Sequence, residues 1–231
     1  MAKDGFLQLS INGPKGHEKA RTNMLKQQIR TWDVLNDKIL GLFITVPREE
    51  FVPVKYKSLA FADLAIPLGH GQSMMPPREE ARILQELKIT PADKILLLGI
   101  DSGFMLTLLT KLGKHVYYLD NDFDSLDNVK NKIEKYKITN VTPLVGGIYQ
   151  GWQDYYPFDV ILCTGSLPDI PQVLKNALNI QGRLFAVIGN TPAMEAMIIR
   201  RVSKTNWDET TIFETERPRI LDVKEPETFT F

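Results

Sequence analysis

Apolar positions along the chain change their period near residue 92. Before that point they recur at helical spacing: Met24, Leu25 and Ile29, then Val34, Leu35, Ile39, Leu40 and Phe43. The helical pattern stops at Val46-Pro47, since proline lacks an N–H and restrains the residue before it. Val46-Pro-Arg-Glu-Glu-Phe-Val-Pro53 then reads as a connector punctuated by prolines. In Ile66-Pro-Leu-Gly-His-Gly-Gln-Ser-Met-Met-Pro-Pro77, two glycines and three prolines forbid a regular helix or a central strand. Ile83, Leu84 and Leu87 mark one face of the helix that follows.

After Pro91-Ala-Asp93 the pattern alternates between short apolar runs and amphipathic stretches. Residues 94–98 (Lys-Ile-Leu-Leu-Leu) are a continuous run, as in a strand buried on both faces. A turn at 99–103 leads into a helix carrying Leu106, Leu108, Leu109 and Leu112. Strands are predicted at 115–120, 141–145, 158–163 and 183–188, with helices at 123–136 and 171–178. Two last apolar stretches, 196–202 and 210–213, are placed to pair antiparallel. The order βαβαβ predicts an α/β fold: a doubly wound, Rossmann-like parallel sheet with a helical N-terminal lead-in. Residues 1–16 read as a flexible arm and 17–231 as a single domain.

Composition narrows the function classes. Lysine plus arginine equal aspartate plus glutamate at 28 each, so no global attraction to nucleic acid or an anionic membrane is expected. A single cysteine, Cys163, excludes an intramolecular disulfide and a thiolate metal cluster. The opening Met1-Ala-Lys-Asp-Gly-Phe lacks the long apolar core of a secretory signal. A soluble, cytoplasmic, monomeric protein without a metal is the expectation.

In an open α/β sheet a ligand sits beyond the carboxyl ends of the strands. Gly99-Ile-Asp-Ser-Gly103 is the first βα turn, and Asp120 closes the next strand about twenty residues on, placed for a ribose hydroxyl. The dinucleotide fingerprint requires glycine at its second position, for close approach to a pyrophosphate. Asp101 stands there instead, a negative charge that disfavours nicotinamide and flavin cofactors. S-adenosylmethionine has no phosphate and carries a sulfonium, so a carboxylate nearby is compatible with it.

Further motifs, taken together, resemble the protein-L-isoaspartate O-methyltransferases. They are the 46–53 connector, Phe61-Ala-Asp-Leu-Ala-Ile-Pro-Leu-Gly-His-Gly-Gln72, residues 94–104, Gly146-Gly-Ile-Tyr-Gln-Gly-Trp152 and Pro157-Phe-Asp-Val-Ile-Leu-Cys-Thr164. They span roughly residues 20–190 in the family's order. Phe213-Glu-Thr215 and Phe229-Thr-Phe231 resemble a bacterial branch of that family. The resemblance implies methyl transfer from S-adenosylmethionine to the α-carboxylate of L-isoaspartyl residues in damaged proteins. It also implies that Gly99, Asp101, Ser102 and Gly103 line the methionine part of the cofactor. Asp120 would take the ribose hydroxyls, and Gly147 and Ile148 would meet the adenine. Gln72, Ser73, Met74 and Met75 would cover the methyl group and hold the substrate.

The chain departs from the family pattern at four places. Leu97 replaces an acid, Asp101 a glycine, Gly147-Ile148 an Asp-Gly pair, and Met75 a substrate-contacting serine. A carboxylate acceptor is already ionised at neutral pH, so the protein must align atoms and exclude water rather than supply a base. Loss of the serine therefore removes a positioning hydrogen bond, with Ser73 beside it as a partial replacement. His70 in the covering loop, Asp63 as its orienting group and Thr164 at a strand end are further candidates for substrate contact. Each has a plainer role available: exposure, turn capping and strand capping. Trp152 is expected in the core or under the site, Cys163 as a small buried hydrophobe, and His17 and His115 as structural. Two alternatives stand beside this reading. One is a non-catalytic partner-binding scaffold, favoured by the altered cofactor motif. The other is a methyltransferase for RNA or a small molecule, the RNA acceptor disfavoured by neutral charge.

Overall fold

A computed structural model describes residues 15–221 and 223. The arm expected at 1–16 thus lies outside the described residues up to residue 14, as does Phe229-Thr-Phe231. The lead-in opens with α1 (Lys15–Met24), followed by one π turn and one 3-10 turn up to Trp32. Asp33, at φ +56°, breaks the helix, and the Asn36 side chain caps the start of α2 (Asp37–Thr45). The apolar series from Met24 to Phe43 is therefore two packed helices. The glycine- and proline-rich stretch folds as a small antiparallel hairpin, β1 (Ile66–Gly69) and β2 (Gln72–Met74), outside the main sheet. Pro77 then opens α3 (Pro77–Leu87) at a position where its missing N–H costs nothing.

The alternating half follows the sequence pattern closely: β3 (Lys94–Leu98), α4 (Phe104–Leu112), β4 (His115–Asp120), α5 (Phe123–Lys135) and β5 (Val141–Val145). It continues with β6 (Phe158–Leu167), which runs past the expected end at 163 and so holds Thr164 inside the strand. Then come α6 (Gln172–Asn176), β7 (Leu178–Asn190), which starts within the stretch expected as helix, β8 (Ala193–Arg201) and β9 (Trp207–Glu214). The seven main strands lie in the order β5-β4-β3-β6-β7-β8-β9. Pairings from β5 to β7 are parallel, and β8 and β9 add antiparallel at the edge, as expected for 196–202 and 210–213.

Successive residues of the central strand serve opposite faces. Ile95 and Leu97 join the core under α1–α5, while Leu96 and Leu98 join the second core, which also holds Leu174 of α6. Leu97, where the family pattern has an acid, is fully buried and belongs to the first of these cores. After β9 the chain turns back, and Ser166 of β6 forms an isolated parallel bridge with Arg219. Residues 217–221 are thereby laid across the carboxyl end of β6, which the sequence pattern did not foreshadow.

Candidate active site

The carboxyl ends of β3, β4 and β5 border a narrow cleft. Gly99, Asp120, Gly147 and Ile148 line it, together with Gln72 of the hairpin and Ile220 and Leu221 of the returning chain. Gly99 sits at φ +92°, and a Cβ there would stand 2.7 Å from Thr164 Oγ1. Only glycine meets both conditions.

Asp120 is buried at the end of β4. One oxygen accepts from the Tyr118 hydroxyl at 2.8 Å and the other from the Asp122 N–H at 3.0 Å. Burial, reinforced by the Asp120 charge, raises the Tyr118 phenol well above its usual range, so it stays a donor. A carboxylate has about four acceptor positions, which leaves capacity for a diol. The 146–151 turn is equally constrained. A Cβ on Gly146 would approach Gln150 O to 2.4 Å, and Trp152 Nε1 donates to Ile148 O at 3.0 Å. Trp152 is thus the buried prop of the turn it was expected to underlie.

The structure corrects the picture of Asp101 as a bare charge facing the ligand. Its Oδ2 accepts from the backbone N–H groups of Gly103 and Leu106, each at 3.0 Å. Helix starts carry unpaired N–H groups and a positive end, so Asp101 caps α4. Burial nonetheless pushes its carboxyl up to about 6. Ser102 Oγ adds a weaker bond from Phe104 N–H at 3.3 Å, and Gly103 takes the left-handed position that starts the helix. Asp101 and Ser102 border a second, wider cleft, with His70, Asp122 and Lys132 also on its wall.

The hairpin is tied down at several points. His70, half exposed, pairs with Asp122, which itself caps α5. Gln72 Nε2 donates to Arg219 O at 2.8 Å. Arg217 Nη2 donates to Ser73 O, and Arg48 Nη2 donates to Met75 O at 2.7 Å. Met74 and Met75 are buried in the core, so their side chains fill space rather than face the cleft. Asp63 lies away from both clefts and pairs with Arg78 of α3. Thr164 Oγ1 donates to Leu98 O at 3.2 Å, closing β6 onto β3 beside Gly99. Cys163 is buried, its thiol pushed up to about 12, and behaves as an inert hydrophobe.

Sequence reasoning missed the buried charges behind the hairpin. Arg48 is fully buried. Its Nε donates to Ala60 O at 2.9 Å, and its Nη1 pairs with Glu80. Burial pushes the Glu80 carboxyl up to about 8 against the opposing pull of Arg48. The available signal was an arginine between two prolines, followed by Arg78-Glu-Glu80 at a helix start, which also reads as ordinary dipole complementation. Arg217 and Ile220 fall in a tail without periodicity and gave no signal.

Comparison with known proteins gives a consistent result. The model of the family described as protein-L-isoaspartate(D-aspartate) O-methyltransferase matches residues 19–221. A protein-L-isoaspartate O-methyltransferase of Koribacter versatilis is 31% identical over 193 residues, covering 82% of this chain and 87% of that protein. One from Protochlamydia amoebophila is 32% identical over 185 residues, covering 80% and 87%. A Plasmodium falciparum structure, described as a putative protein-L-isoaspartate O-methyltransferase in complex with S-adenosyl-L-homocysteine, superposes with a TM-score of 0.73. It covers 88% of this chain and 97% of that chain at 18% identity, a likeness of fold.

Proposed function

The chain belongs to the protein-L-isoaspartate(D-aspartate) O-methyltransferase family, and on that premise we propose that it methylates isoaspartyl carboxylates of damaged proteins with S-adenosylmethionine. The observation that carries this reading is the cleft where Gly99, Asp120 and the 146–148 turn converge under Gln72 and Ile220. Its residues fit an adenosine cofactor: a glycine position that a Cβ would fill, and a buried carboxylate with acceptor capacity left over.

When bound, the cofactor supplies an electrophilic methyl group on a sulfonium. The protein's own part is alignment. Asp120 receives the ribose hydroxyls, Gly99 lets the backbone lie close, and the 147–148 backbone borders the adenine. Asp101 serves indirectly, by fixing the turn between β3 and α4. Gln72 and the 220–221 segment close the cleft and exclude water, which would compete as acceptor. Ser73 and Thr164 belong to the acceptor side, where an isoaspartyl carboxylate arrives already ionised and needs no base. The methionine side chains at 74 and 75 support this edge by packing.

The same proposal includes one methyltransferase-like domain over 17–231 preceded by a short arm, working as a monomer in the cytoplasm on protein or peptide substrates. A single buried cysteine and a balanced charge support that setting. Among the described residues, no helix is long and apolar enough to cross a membrane.

Isothermal titration with S-adenosylmethionine and S-adenosylhomocysteine, followed by methylation of an isoaspartyl peptide, tests the reading. Micromolar binding and methylation of the isoaspartyl peptide, but not its aspartyl counterpart, are expected. No heat from folded protein at millimolar ligand would overturn it and leave the partner-binding scaffold.

A further inference from the structure

Two buried arginines hold alternate carbonyls of the same short stretch of hairpin. Arg48, from the connector, takes Met75 O, and Arg217, from the returning chain, takes Ser73 O. The two differ in what else they grip. Arg48 binds Ala60 O and Glu80, both on the side of the lead-in. Arg217 instead links the hairpin to the main sheet: Nε and Nη2 donate to Thr164 O at 3.4 and 3.3 Å, within β6. Thr164 is the residue whose hydroxyl stands against Gly99. Arg217 is in turn held by its own carbonyl, which accepts from Ser166 Oγ at 2.9 Å. The flanking chain is docked by Ser166 N–H to Pro218 O at 2.8 Å and Ile220 N–H to Ser166 O at 3.1 Å.

We propose that Arg217 is a positioning residue for methyl transfer, setting the spacing between Ser73 in the hairpin and Thr164 of β6, beside Gly99. This inference rests on the methyltransferase reading above. Gln72, next to Ser73, and Gly99, against Thr164, both line the cleft, and one rigid guanidinium fork bridges the two segments, which a point-charge ammonium cannot reproduce. Glu79 and Glu80 face the guanidinium electrostatically, countering the cost of its burial. Among the described residues, Arg217 Nη1 is buried without a hydrogen-bond partner.

The test compares Arg217→Met and Arg217→Lys with the wild type in methyl transfer to an isoaspartyl peptide. Thermal unfolding and S-adenosylhomocysteine affinity are measured on the same samples. Arg217→Met is expected to lower kcat roughly ten- to a hundredfold, the scale of lost hydrogen bonds from a charged group. S-adenosylhomocysteine Kd should stay within about threefold of wild type, because the cofactor's own contacts are kept. Arg217→Lys should recover part of kcat but not all. Folded variants with unchanged kcat, or a loss confined to cofactor affinity, would overturn the proposal. So would failure of both variants to fold, which would make the role structural alone. An inactive wild type would instead fail the methyltransferase reading, a distinguishable result.

Discussion

The two sides of the cleft are built by different means. On the sheet side, Gly99, Asp120 and the 146–148 turn sit where strands end, and neighbouring residues fix each of them: a left-handed glycine, a tyrosine two residues back, a tryptophan four residues on. On the cover side, Gln72, Ser73 and Met75 are held by residues far off in the chain, and mostly through backbone carbonyls. The sheet side makes its shape from local geometry. The cover side makes its shape from buried charge imported from both flanks of the hairpin. The first kind of construction is intolerant of volume and the second of charge imbalance.

The strongest way to break the comparison is at Arg48. Removing one partner of a fully buried ion pair costs about 3–5 kcal/mol, whereas replacing both by apolar groups is often neutral. Arg48→Met should therefore shift urea unfolding by about that amount, and Arg48→Met with Glu80→Leu should recover most of it. A single variant as stable as wild type would mean that the cover does not depend on buried charge.

The sheet side is tested by volume. Gly99→Ala introduces a Cβ 2.7 Å from Thr164 Oγ1 at a positive φ. The left-handed conformation alone costs about 1–2 kcal/mol for a residue with a side chain. S-adenosylhomocysteine affinity should fall at least about tenfold, measured by calorimetry. Stability should fall less than for Arg48→Met. Unchanged affinity would remove Gly99 from the cofactor site.

The smallest effect sharpens the contrast, since Asp101 is a buried charge on the sheet side. Its folded-state carboxyl is raised from 3.8 to about 6 by burial, so the folded protein binds the proton more tightly than the unfolded chain. The stability contribution is fully present below the unfolded value and is lost as pH rises through about 6. Asp101→Asn keeps an acceptor for the α4 N–H groups but cannot ionise. It should flatten this part of the stability profile between pH 4 and 7, measured by chemical denaturation at a series of pH values. An unchanged profile would show that Asp101 does not titrate there.

The sheet was legible in the sequence because burial on both faces leaves continuous apolar runs, as at residues 94–98, and turn residues bracket them. Gly99 and Asp120 were legible for the same local reason. Asp101 was placed in the right turn, but its bonds to the Gly103 and Leu106 N–H groups were not foreseen. The hairpin was read only as irregular, because its glycines and prolines mask the short ladder between Ile66 and Met74. Arg217 and Ile220 were invisible because their partners, Thr164 and Ser166, are more than fifty positions away. No periodicity encodes an isolated bridge.

The return of residues 217–221 to the end of β6 has a consequence for folding and binding together. Gln72, Gly99, Gly147 and Ile220 border one cleft, so whatever fills it fastens stretches of chain that lie far apart in the sequence. At a hundred times its Kd such a ligand adds about 2.7 kcal/mol to global stability. Part of that gain would appear as slower amide exchange in the hairpin and the tail, the segments with fewest ladder bonds of their own. Release of the ligand would then be felt first where the chain is least held, and the end of each turnover would coincide with the loosening of its own cover.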